Sequence, residues 1–147
     1  MRVAIIGSRP EIQGIDTRHP EWWARKDRDY KRKDAVGSYV YALDEWDEFV
    51  SGGCDGPDLW GEAVAKSVHL SRVIFHPKWK LRSGRAFNAG GPKRNERMAA
   101  YADRCVAFFG AGESRGTEGC VALFRRLGKP VEEWRFRPDG SYGPGAG

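Results

Sequence analysis

The chain has 147 residues, 40% of them hydrophobic and 31% charged, with a formal net charge of +5. That length suits one domain, and folding would bury roughly 70% of the surface of the unfolded chain, so neither disulfides nor a structural metal is required. No apolar run approaches the roughly 20 residues of a membrane span, and the apolar run after Arg2 is too short for a signal-peptide core, so a cytoplasmic protein with no membrane partner is expected.

Residues 2–6 read R-V-A-I-I and stop at Gly7, the pattern of a strand buried on both faces. Residues 10–36 break that pattern with Pro10, Gly14, Pro20, the tandem Trp22-Trp23 and dense charge. They read as an irregular insertion with room for one short helix, suited to act as a lid. Over residues 38–49, Val40, Tyr41, Leu43, Trp46 and Phe49 fall at spacings near three and four, which predicts an amphipathic helix capped by Ser38. A short second strand then ends at residues 50–53. Asp55-Gly56-Pro57-Asp58 is a turn into a helix striped by Leu59, Trp60, Ala63, Val64 and Val68, with Pro57 in the first turn where its missing N–H costs nothing.

Residues 72–75 form a third strand, 77–91 a basic loop and 92–101 a helix. A fourth strand (105–109), a glycine-rich loop (110–116), a helix (117–127) and a fifth strand (131–136) follow. Residues 138–147, rich in glycine and proline with almost no apolar mass, read as a disordered tail. The alternation predicts an α/β fold, a Rossmann-like open parallel sheet of about five strands with helices on both faces, in a single domain over residues 1–137.

Charge is segregated. Residues 78–97 carry Lys78, Lys80, Arg82, Arg85, Lys93, Arg94 and Arg97 against Glu96 alone, interleaved with Trp79 and Phe87, which points to an anionic partner. Cys54, Cys105 and Cys120 form no C-x-x-C pair, and His19, His69 and His76 lack metal-ligand spacing. Free thiols, no metal and no cofactor are expected.

In an open parallel sheet, ligands bind outside the carboxyl ends of the strands. Gly7, Ser8 and Arg9 follow the first strand there; Ser51, Gly52 and Gly53 follow the second and lead to Asp58; Ser114, Arg115, Gly116 and Thr117 follow the fourth. Glycine admits close approach of the backbone, and free N–H groups at a helix start favour phosphate. Neither G-x-G-x-x-G nor G-x-x-x-x-G-K-[ST] occurs, which removes the usual dinucleotide fingerprint and the P-loop.

V-A-I-I-G-S-R at 3–9, V-S-G-G-C-D-G-P-D at 50–58, G-P-K-R-N-E-R-M-A at 91–99 and S-R-G-T-E at 114–118 come in an order and spacing that resemble the YspA-like branch of the SLOG superfamily. That superfamily of Rossmann-like domains also holds the Lonely Guy phosphoribohydrolases and the DNA-processing protein A family. The resemblance implies a nucleotide or nucleotide-derived ligand, with phosphate near Gly116 and Thr117, base or ribose near Gly52, Gly53 and Asp58, and Arg94 and Asn95 reaching it from the neighbouring helix. It also implies a homo-oligomer. Where the Lonely Guy enzymes carry a glutamate three positions after the threonine, this chain has Cys120, and Glu118 would point elsewhere, since positions two apart lie about 200° apart on a helix.

The leading expectation is a sensor or sequestering protein for a nucleotide-type molecule, with Trp22, Trp23 or Trp79 as stacking surface. A second reading is an N-glycosidic hydrolase or transferase acting on a nucleoside monophosphate, with Asp58, Glu96 or Glu118 as the acid or nucleophile. A third is single-stranded DNA binding through the 78–97 cations.

Overall fold

The computed structural model describes residues 1–145 and orders its strands β3-β2-β1-β4-β5-β6 in one sheet. The elements run β1 (Arg2–Gly7), α1 (Trp22–Tyr41), β2 (Glu48–Ser51), α2 (Pro57–Ser67), β3 (Ser71–Ile74), α3 (Gly90–Tyr101), β4 (Arg104–Phe108), α4 (Arg115–Arg126), β5 (Val131–Phe136) and β6 (Tyr142–Pro144). Strands β1 to β5 are parallel, and β6 adds antiparallel to β5. Strand order reverses at the β1/β4 pair, the place where an open α/β sheet leaves a crevice at its carboxyl edge.

The inner strands are apolar on both sides because helices cover both sides. Along β1, Val3 and Ile5 join one buried cluster with Val36 and Val40 of α1 and Ala65 of α2. Ala4 and Ile6 face the other way, into a cluster with Met98 and Ala99 of α3 and Val121 and Phe124 of α4. The mostly parallel sheet clothed by helices on both faces is the α/β arrangement expected, with six strands where about five were predicted.

Three segments differ from the sequence reading. Residues 10–36 are not irregular throughout: turns over 11–20 lead into a twenty-residue helix, α1. Its buried positions are Asp29, Arg32, Val36 and Val40, so half of its inward face is charged and escapes a search for apolar periodicity. The helix expected over 38–49 is absent beyond Tyr41. Trp46, counted there as inward, is 82% exposed, and residues 44–47 form a turn in which Trp46 N–H donates to Asp44 Oδ1 at 3.0 Å and Asp44 N–H to Asp47 Oδ2 at 2.9 Å.

The expected disordered tail contains β6. Tyr142 supplies the anchor: its hydroxyl donates to the carbonyl of Phe109 at 2.9 Å, while its ring packs beside Trp134 and Phe136. Ala146 and Gly147 lie outside the described residues.

Candidate functional site

A cavity of about 800 Å³ opens at the carboxyl edge of the sheet, over the β1/β4 reversal. That volume lies within the range typical of small-molecule sites.

Its floor is set by β1 and β4. Gly7 has no room for a side chain, because a Cβ there would run into the Phe108 carbonyl and the Pro57 ring. Ser8 then joins the two loops: its N–H donates to the Phe108 carbonyl at 3.2 Å, and its Oγ accepts from Gly110 N–H at 3.0 Å. Arg9, exposed, lines the cavity beside them.

The loop after β2 is held from both sides of its peptide groups. Asp58, in the first turn of α2, accepts from Gly52 N–H at 2.9 Å and Cys54 N–H at 3.4 Å. Arg94 of α3 donates to the Gly52 carbonyl, to Cys54 Sγ at 3.4 Å and, through Nε, to Asn95 Oδ1 at 2.8 Å. Burial raises the Asp58 carboxyl from its ordinary 3.8 to about 6; the two amide donors and the Arg94 charge pull the other way and offset only part of the desolvation. Asp58 and Arg94 therefore shape the loop while presenting an edge to the cavity, which both line together with Asn95 and Cys54.

The opposite element is α4. Its first intrahelical bond is Glu118 N–H to the Ser114 carbonyl at 2.9 Å, so the N–H groups of Arg115, Gly116 and Thr117 have no acceptor within the helix. Ser114 Oγ donates to Thr117 Oγ1 at 2.7 Å, which leaves the Thr117 hydroxyl proton to point elsewhere. Ser114, Gly116 and Thr117 line the cavity. Arranged in this way, a helix start is suited to an anion.

Of the residues expected from sequence, Gly7, Ser8, Arg9, Asp58, Arg94, Asn95, Ser114, Gly116 and Thr117 come together around this space. Ser51, Gly52 and Gly53 do not line it. Ser51 is fully buried, its hydroxyl accepting from Gly53 N–H at 3.3 Å, and Gly53 takes a left-handed φ of 69° against His76. Arg115, Glu96 and Glu118 are exposed and stand outside the lining. Among the tryptophans considered for stacking, Trp79 lines the cavity, and Trp22 and Trp23 do not.

Sequence reasoning missed the contribution of α1. Glu21, Arg25 and Arg28 line the cavity with Glu11, and Arg32 lies fully buried beneath. Arg32 donates to the carbonyls of Ser8 (2.9 Å), Arg9 (2.9 Å) and Phe108 (3.2 Å), while Asp29 accepts from Glu11 N–H (2.8 Å) and Ile12 N–H (3.1 Å). A signal was present: positions 21, 25, 28 and 32 follow one helical stripe, all charged, and continue as Val36 and Val40.

No family model matches the chain, and no curated protein matches it. Among solved structures, the X-ray structure of TM1055 is similar, with a TM-score of 0.55 over 88% of this chain and 71% of that one, at 17% identity. That likeness and the sheet order define the class: a Rossmann-like α/β domain. Among the described residues no helix is long and apolar enough to cross a membrane.

Proposed function

We propose that this domain binds a nucleotide or nucleotide-derived molecule at the carboxyl edge of the sheet and acts as a sensor or sequestering protein for it. The observation that carries the proposal is the start of α4, where Ser114, Gly116 and Thr117 line a cavity of about 800 Å³ at the strand-order reversal and the N–H groups of the first turn have no acceptor within the helix. Phosphate sits at Gly116 and Thr117, and the base stacks beside Trp79, which packs near Gly91 at the cavity's edge. The resemblance to SLOG domains supports the same reading, with the YspA-like branch as its nearest pattern.

Binding is favoured over glycosidic cleavage by the state of the carboxylates. Of the carboxylates that line the cavity, Asp58 is engaged by two loop amides, Glu11 and Glu21 pair with Arg28 and Arg25, and only the exposed Glu113 has no such partner among the described residues; Glu96 and Glu118 stand outside the lining. A nucleotide bound in the protein as purified, released intact on denaturation and identified by native mass spectrometry, is the expected result. If calorimetry found no response to nucleoside mono-, di- and cyclic phosphates, the proposal would be withdrawn; free base released from a nucleoside monophosphate would replace it with the hydrolase.

A further inference from the structure

Besides Arg94, which is committed to the loop after β2, three arginines share the cavity with the α4 N-terminus, and they differ in how firmly they are held. Arg28 is committed: its Nε reaches both Glu11 carboxylate oxygens, at 2.9 and 3.0 Å, and that glutamate is only 15% exposed. Arg25 meets Glu21 through one contact of 3.0 Å, and the glutamate is 58% exposed; its other contact is a 3.4 Å donation to the Glu11 carbonyl. Arg9 lines the cavity and has no carboxylate partner among the described residues.

The phosphate position at α4 uses neither Arg9 nor Arg25. Both nonetheless sit on well-fixed backbone. Arg32 grips the Arg9 carbonyl from below, seven residues along α1 from Arg25, and Asp29 fixes the amides of Glu11 and Ile12 that follow Arg9. A guanidinium presents a planar fork that matches phosphate oxygens. Exposed ion pairs such as Arg25–Glu21 add little net stability, so a phosphoryl group with more charge and more acceptor oxygens displaces the carboxylate.

We infer that Arg9 and Arg25 form a second anion subsite, and that the ligand of this cavity is a nucleotide carrying two phosphoryl groups rather than one. Glu21 competes with the second phosphoryl group for Arg25 and so sets the threshold for its binding. The inference rests on the reading that a nucleotide occupies this cavity.

The test is calorimetry on the full chain with the 5′-monophosphates, 5′-diphosphates and 3′,5′-bisphosphates of adenosine and guanosine, comparing wild type with Arg9→Gln, Arg25→Gln and Glu21→Gln. The readout is the ratio of affinities between a two-phosphoryl ligand and its monophosphate. In wild type that ratio is at least about tenfold, the effect of one charge-assisted hydrogen bond. Arg25→Gln and Arg9→Gln each bring it to within about twofold, and Glu21→Gln raises it. The opposite signs separate ligand recognition from a role in helix stability, since loss of the Arg25–Glu21 pair from either side would weaken α1 alike. A ratio near one in wild type, a ratio unchanged in both arginine variants, or a lower ratio in Glu21→Gln overturns the inference and leaves the nucleotide reading standing. Absence of binding by all of these ligands to wild type overturns the nucleotide reading itself.

Discussion

Asp29 and Arg32, one turn apart on α1 and 3.3 Å from each other, jointly hold five backbone groups: the carbonyls of Ser8, Arg9 and Phe108 and the N–H groups of Glu11 and Ile12. The pair is almost wholly buried, and the guanidinium also lies over the Trp60 ring at 5.3 Å. It adds to the few local bonds of the segment after β1, such as Gln13 N–H to the Pro10 carbonyl at 3.2 Å.

Removing one member of a buried pair leaves the other charge without compensation, at a cost of about 3–5 kcal/mol. Arg32→Leu should lose that much in urea-induced unfolding, since it also strips three carbonyls of their donor. Asp29→Asn keeps an acceptor for one of the two amides and should lose less, about 1–3 kcal/mol.

Asp58 makes the stability of the fold pH-dependent. Its carboxyl titrates at about 6 in the folded chain against an ordinary 3.8, so the ionised form costs folding free energy, in full above pH 6. That cost is relieved as pH falls from about 6 toward 4, and between pH 7 and 4.5 the two values give a gain of about 2 kcal/mol. Wild type should gain that amount over Asp58→Asn across this interval, measured as the difference between their urea unfolding free energies at the two pH values. Parallel profiles for the two proteins would show that the Asp58 carboxylate is already well compensated at neutral pH.

Gly7 and Gly116 separate packing from recognition. Alanine at position 7 collides with the Phe108 carbonyl and Pro57 and should destabilise by about 1–3 kcal/mol. At position 116 nothing lies within 4 Å of an added Cβ and the residue is helical, so alanine should stabilise by about 0.4–1 kcal/mol. If phosphate approaches that backbone, the same Gly116→Ala change weakens nucleotide binding while raising the melting temperature. A variant that is both more stable and equally avid would remove phosphate from the α4 start.

Trp79 is half exposed, against the edge of the cavity. Stacking with a base contributes about 1–3 kcal/mol. Trp79→Ala should therefore weaken nucleotide binding roughly tenfold or more, Trp79→Phe should retain most of it, and indole fluorescence should be quenched on titration of wild type.

The central strands were legible in the sequence because a strand covered on both faces must be apolar throughout, as residues 3–6 and 105–108 are. The glycine and hydroxyl residues at their ends marked the edge where the cavity lies. Helix α1 was illegible for the opposite reason. At its N-terminal half the inward face serves polar backbone and the cavity, so Glu21, Arg25, Arg28, Asp29 and Arg32 look like solvated surface. Three small residues expected to let a ligand approach the backbone closely, Ser51, Gly52 and Gly53, shape a loop rather than line the space. Strand β6 is too short for any periodicity, and its placement rests on antiparallel pairing with β5 together with a tyrosine hydroxyl reaching to the Phe109 carbonyl, neither of which a local pattern reveals.

That last strand also governs how the sheet meets its surroundings. Without it, β5 would display a six-residue row of peptide groups, a ready template for pairing with another chain. The row that replaces it has three residues and ends in Pro144, which has no N–H to offer, while Gly143 lies buried beneath the Arg137 guanidinium. Residues with the composition of a loose tail thus blunt an edge that would otherwise invite runaway strand addition, and deleting residues 138–147 should be felt first as aggregation on storage.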